Sequence, residues 1–180
     1  MKRMLRRSLW IIPAMMLMCL TASAQSFSEW DVAGNYSYWD ANLNGTQFHL
    51  MGGGGSLTEN VNSWFGGRLE FNAYSGTEAT KNVSAQTITY GPVLSYRRFS
   101  RLVPFGNLQI GAIHASQGYL GISESAFKFD LTGGGGIDYD INSRAAIRAE
   151  GDYVMTRFLD LRQDNLRFSV GLVIHLGPTK

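Results

Sequence analysis

The stretch Asn165-Leu166-Arg167-Phe168-Ser169-Val170-Gly171-Leu172-Val173-Ile174-His175-Leu176-Gly177 alternates almost without error. Leu166, Phe168, Val170, Leu172, Ile174 and Leu176 share one parity; Arg167, Ser169, Gly171, Val173 and His175 share the other. A period of two marks a β-strand with one apolar and one polar face. The strand is long, it lies at the end of the sequence, and a basic segment followed by an apolar run lies at the start. Together these features point to a strand with lipid on one side and a polar interior on the other.

The start of the chain sets the compartment. Lys2, Arg3, Arg6 and Arg7 precede an apolar run from Leu9 to Leu20, and Ala22-Ser23-Ala24 supplies small residues for cleavage. Those three parts in that order predict a secretory signal peptide over residues 1–24. The apolar run is shorter than the roughly 20 residues a spanning helix needs, which argues against a retained anchor. Cys19, the single cysteine, follows Met18 where a lipoprotein signal carries a small residue. Cleavage after Ala24 removes it, so the mature chain is expected to form no disulfide. Cleavage also leaves twelve Lys and Arg against 14 Asp and Glu, a balance of −2 in place of +2. Without clustered basic residues the chain is not expected to bind nucleic acid. Residues 25–180 carry no Pro-rich or low-complexity linker and suit one domain.

Period two recurs along that domain. Strands are expected at about Trp30–Trp39, Gln47–Leu57, Trp64–Tyr74, Gln86–Arg97, Val103–Ser116, Ala126–Tyr139, Arg144–Met155 and Leu166–Leu176. Their connections alternate. Arg98 to Leu102 and Asp140 to Ser143 have hairpin-turn lengths, whereas Ser75 to Ala85, Gln117 to Ser125 and Thr156 to Asn165 read as longer polar loops. An even strand number with short turns at one end and long loops at the other describes a bacterial transmembrane barrel. Each strand is close to the roughly 9–11 residues that cross a bilayer at a tilt.

A soluble barrel also alternates, so the polar parity decides. Arg68 and Glu70, Lys128, Asp130 and Asp138, Arg148, Glu150 and Asp152, and Arg167 all stand opposite apolar neighbours in their strands. The apolar parity repeatedly carries Gly and Ala, as at Gly67, Ala73, Gly133, Gly135, Ala145, Ala149 and Gly151. A packed core needs bulk at such places, while acyl chains fill gaps on a lipid-facing wall. An eight-stranded barrel has an interior just wide enough for side chains to fill, and near-balanced charges satisfy one another there. Trp30, Tyr36, Tyr38, Trp39, Trp64, Tyr90, Tyr96, Tyr139, Tyr153 and Phe158 fall mostly near strand ends, as interfacial girdles do. The tracts Gly52 to Gly55 and Gly133 to Gly136 lack the Lys and Ser or Thr of a phosphate loop. Inside alternating strands they mark close backbone approach and barrel curvature.

The segments Leu131-Thr132-Gly133-Gly134-Gly135-Gly136-Ile137-Asp138-Tyr139, Ile147-Arg148-Ala149-Glu150-Gly151-Asp152-Tyr153 and Asn165 to Leu172 resemble a known family. It is the small outer-membrane β-barrel family typified by the N-terminal barrel of outer membrane protein A, and the resemblance covers residues 25–180. It implies an all-β fold, an eight-stranded antiparallel up-and-down transmembrane β-barrel. The last strand also resembles the C-terminal signal read by the outer-membrane assembly machinery. Ser169, Gly171, Ile174 and Leu176 take its polar, glycine and hydrophobic places, with aliphatics where aromatics are usual and Pro178-Thr179-Lys180 added. Strand eight is followed only by that tail, so a barrel-only member is expected.

Chemistry is sparse. His49 and His175 lie in strands without metal-ligand spacing beside them, so no metal and no cofactor are expected. His114-Ala115-Ser116 lies near the outer end of strand five on the lipid-facing parity. It resembles the dyad of lipid A deacylase barrels, in which a base activates a hydroxyl nucleophile. The third group is unconvincing: Glu124 lies in the next loop and Asp130 on the opposite parity. His114 and Ser116 are therefore the weak catalytic candidates of an alternative reading. A soluble periplasmic lipocalin-like binding barrel is another, with the aromatic parity turned inward. The leading expectation is a non-enzymatic outer-membrane barrel of a Gram-negative bacterium, monomeric, with a plugged polar lumen. It would sit among outer-membrane lipid including lipopolysaccharide, reach the assembly machinery through its C-terminal strand, and offer loops for surface contact.

Overall fold

The computed structural model describes residues 27–177 except 44–45, 79–80, 120–121 and 159–160. The expected signal segment and the tail after Gly177 lie outside the described residues. The chain forms β1 (Trp30–Leu43), β2 (Thr46–Asn60), β3 (Phe65–Glu78), β4 (Lys81–Ser95), β5 (Leu102–Tyr119), β6 (Ile122–Asn142), β7 (Ala145–Phe158) and β8 (Leu161–Leu176). Each strand pairs antiparallel with the next, and β1 closes on β8, giving a closed barrel in sequence order. The closing register sets Asp31 opposite His175 and Tyr38 opposite Phe168. Closure leaves no unpaired edge, the condition for a sheet to stand in hydrocarbon. Among the described residues no helix is long and apolar enough to cross a membrane, so any crossing is by strands.

The burial pattern is that of a barrel turned inside out. Along β8, Phe168 and Val170 are 58% and 60% exposed on the outer wall, while Arg167 between their neighbours is 4% exposed inside. The same inversion holds on β3, where Leu69 and Phe71 face out and Arg68, Glu70 and Asn72 are buried. This orientation overturns the lipocalin-like alternative, which needs the aromatic parity inside. Trp39 departs from the expected girdle. It takes the inward parity of Asp31, Ala33 and Ser37 and is buried against Tyr74. Trp30, Tyr38, Trp64, Tyr96, Tyr139 and Tyr153 are on the outer wall as expected.

The glycine tracts lie where neighbouring backbone approaches closely. A Cβ on Gly134 would collide with the Asp152 carboxylate and the Gly151 carbonyl, and one on Gly54 with the Asn72 side chain and the Phe71 carbonyl. Inward-pointing glycine therefore lets neighbouring strands bend around a crowded interior.

The expected long loops are corrected by the structure. Ser75 to Ala85, Gln117 to Ser125 and Thr156 to Asn165 are largely strand, as are the residues just beyond Trp39 and before Gln47. Pairing continues to Leu43↔Thr46, Glu78↔Lys81, Tyr119↔Ile122 and Phe158↔Leu161. These stretches carry no sustained alternation of apolar and polar residues, so the sequence leaves no strand trace there. Backbone pairing still satisfies the polar groups. At the other end the strands are joined through residues 61–64, 96–101 and 143–144. Asn62 Oδ1 accepts from the Trp64 and Phe65 amides at 3.0 and 2.8 Å, and Asn142 Oδ1 accepts from the Arg144 amide at 2.8 Å. These are side-chain-closed turns of the kind Asn favours.

Candidate functional site: the filled lumen

The inward parities of all eight strands converge on one interior, and that interior is layered. At mid-height Arg68, Glu70, Asp130, Arg148, Glu150, Asp152 and Arg167 are all buried. Arg68 Nη1 donates to Glu150 Oε1 at 2.9 Å. Arg167 Nη2 lies 2.8 Å from Asp152 Oδ2 and 2.9 Å from Glu70 Oε1, joining β8 to β7 and, across the lumen, to β3. Its Nη1 also donates to the Tyr74 hydroxyl at 3.2 Å. Arg148 grips Asp138 with two bonds of 2.7 Å. The guanidinium groups of Arg68 and Arg148 both lie over the Phe105 ring, 4.8 and 4.6 Å from its centre. Thr132 donates to Asp130 at 2.9 Å, and Asn107 donates to both Glu150 and Asp152. Charges buried this deeply are tolerated only when paired and hydrogen-bonded. Here the pairing ties strands that are not neighbours.

Apolar layers bound this network. Toward the long hairpins Trp39, Leu50, Tyr74, Val83, Ala85, Ile113 and Val154 form one buried cluster, with the Trp39 and Tyr74 rings edge to face at 4.9 Å. Toward the short turns Ala33, Ala146 and Val173 form a second. At the short-turn mouth His175 Nδ1 lies 2.7 Å from Asp31 Oδ1, and Ser28 Oγ also donates to Asp31. Asn60 donates to Asp31 Oδ2 at 2.7 Å, and Arg97 donates to Asn60 Oδ1 at 3.3 Å. Buried side chains thus line the lumen at each of these levels, in a barrel whose interior is about as wide as side chains can fill.

The two weak catalytic candidates are on the outer wall. His114 stands opposite Gln86 on β4 and Phe127 on β6 in the strand register. The Ser116 hydroxyl is 2.7 Å from that of Ser84. Asp130 is 1% exposed on the lumen side, and Glu124, opposite Gln117, lies on the alternate parity from His114 and Ser116. The barrel wall thus keeps the buried Asp130 apart from the outward parity of His114. His49 is also outside, with Nδ1 2.6 Å from the Tyr38 hydroxyl.

Sequence reading missed the Ser28–Asp31–His175 grouping. Nδ1 of the imidazole faces both the serine and the carboxylate, whereas a hydrolase relay needs one partner on each ring nitrogen. The grouping is a clasp across the closing seam. Its only sequence signal is that Asp31 and His175 both lie near strand ends on inward parities.

The sequence matches the model of the outer membrane protein beta-barrel domain over residues 11–173. The chain belongs to that family. The comparison with curated proteins gives no match. Among solved structures, the barrel is similar to Neisserial surface protein A, with a TM-score of 0.74, 13% identity, and 83% of this chain and 98% of that one covered. It is similar to Ail, the attachment invasion locus protein of Yersinia pestis, with a TM-score of 0.62, 20% identity and coverage of 83% and 99%. The N-terminal barrel of Pseudomonas aeruginosa OprF gives 0.53, 11%, 83% and 99%. At these identities the likeness is one of fold. Family membership and the apolar outer wall agree on the bacterial outer membrane as the setting.

Proposed function

We propose that this family member is a non-enzymatic barrel of the outer membrane of a Gram-negative bacterium, a monomer whose lumen is a structural plug. The observation that carries this reading is the charged layer of Arg68, Glu70, Glu150, Asp152 and Arg167, closed between apolar layers. Residues 1–24 are removed on export, and the C-terminal strand is the address read by the assembly machinery. The short turns face the periplasm, while the long hairpins stand outside for surface contact, with lipopolysaccharide around their bases.

Conductance tests the plug. The protein refolded into a planar bilayer should give no stable open level at moderate voltage, and a steady, porin-sized conductance would contradict it. Acylation tests the enzymatic alternative. Lipid A from cells carrying His114→Ala and Ser116→Ala should match that from cells with the unaltered protein. Disappearance of a deacylated species in the variant would restore catalysis as the function.

A further inference from the structure

We propose that the short-turn mouth of the barrel carries an acid-strengthened latch, in which a protonated His175 ties the last strand both to the first and to the end of β6. Loss of that proton as the pH rises loosens this end of the closing seam. The inference needs only the closed barrel, so it stands apart from the membrane reading above.

His175 is the last inward residue of β8, level with the turns, and its amide donates to the Arg144 carbonyl at 2.9 Å. Both ring nitrogens face acids. Nδ1 lies 2.7 Å from Asp31 Oδ1 on β1, and Nε2 lies 3.5 Å from Asp140 Oδ1 near the end of β6. The other charged groups of the mouth come from every element around the ring. Arg97, beyond β4, stands 3.9 Å from Asp31 Oδ2. Asp138, two residues earlier on β6, is gripped by Arg148 of β7. Arg144 lies exposed in the β6–β7 turn, and Glu29, before β1, sits beside Gly177. The imidazole is 11% exposed and lines a concavity of about 240 Å³ at the mouth, so protons reach it from the medium.

A neutral imidazole has one N–H and one lone pair. Either tautomer answers one of these carboxylates and aims its lone pair at the other, whereas the imidazolium answers both. The hydrogen bond with Asp31 accordingly raises the His175 pKa above its ordinary value, against the opposing effect of burial. A group raised in this way contributes its full stabilisation below its unfolded value, about 6.5, and loses it as the pH climbs through the folded value. When the proton leaves, the bond to Asp31 loses its charge assistance and the contact with Asp140 turns repulsive. Asp31 retains Ser28 and Asn60, so β1 keeps its own partners while β8 lets go.

Nitrogen-15 spectra of the His175 ring in the refolded protein test the latch. Both ring nitrogens should carry protons at pH 6, and the midpoint of deprotonation should lie above the ordinary value of about 6.5. Asp140→Asn should lower that midpoint. Urea titration reads the consequence between pH 6 and 8.5, a range above the ordinary carboxyl value of about 4. Across it the folding equilibrium constant of the unaltered protein should fall about fivefold more than that of His175→Gln, the strength of a partly exposed ion pair. His49 and His114 are present in both proteins, so their titration cancels from the comparison. A single protonated nitrogen at pH 6, a midpoint at or below 6.5, a midpoint that Asp140→Asn leaves unmoved, or the same pH dependence in both proteins would overturn the proposal. If His175→Gln does not fold, the spectra of the unaltered protein decide alone.

Discussion

The two walls of this barrel are made by the same strands and obey opposite rules. Inside, Arg167 is 4% exposed and bound by Asp152, Glu70 and Tyr74, partners from β7 and β3. Outside, its neighbour Phe168 is 58% exposed and meets the ungapped face of Gly151, where a Cβ would lie 3.5 Å from the ring. The inner wall depends on particular partners at particular distances, because each unpaired charge there has no water to turn to. The outer wall depends only on being apolar, since lipid accommodates any shape. The difference teaches that substitution in this protein is least tolerated where its sequence is most polar.

That contrast can be broken from either side. The largest effect is expected at the centre of the network. Arg167→Ala strands Glu70 and Asp152 and should lower unfolding stability by about 3–5 kcal/mol, read by urea titration of the heat-modifiable form in vesicles. A loss below about 1 kcal/mol would mean that the buried pairs are not what holds the lumen. On the outer wall a charge should hurt where an apolar swap does not. Val170→Arg, near mid-strand, should cost about 2–4 kcal/mol. Val170→Leu should stay within about 0.5 kcal/mol in the same titration. The smallest of the disruptive changes is His175→Gln at the mouth, where Asp31 keeps Ser28 and Asn60 as partners. About 1–3 kcal/mol is expected there, seen first as faster opening of the β1–β8 seam by hydrogen exchange.

What the residues disclosed in advance follows the same division. The alternation of Leu166 to Leu176 and the charged parities of β3, β6 and β7 read directly as strands with a polar inside, because membrane burial imposes period two. The hairpin extensions beyond Tyr74, Ser116 and Met155 are not legible, since their residues do not alternate between apolar and polar types. Residue type alone assigns Trp39 to the girdle, whereas its parity with Asp31 and Ser37 puts it inside. The charged residues were legible as a set, but not as pairs. Arg167 to Glu70 joins β8 to β3, and Asp31 to His175 joins the first strand to the last. Such partners follow only from the register of a closed barrel, which no local pattern encodes. The mouth concavity was invisible for the same reason, being assembled from two turns, the residues before β1 and the end of β8.

The central claim is that lipid touches the apolar parity and the lumen holds the charged one. Nitroxide labels on cysteines introduced singly from Leu166 to Ile174, in the protein refolded into vesicles, measure this most directly. Collision with dissolved oxygen should peak at positions 166, 168, 170, 172 and 174 and fall at the positions between them. Peaks at 167, 169, 171 and 173, or no alternation at all, would contradict the account.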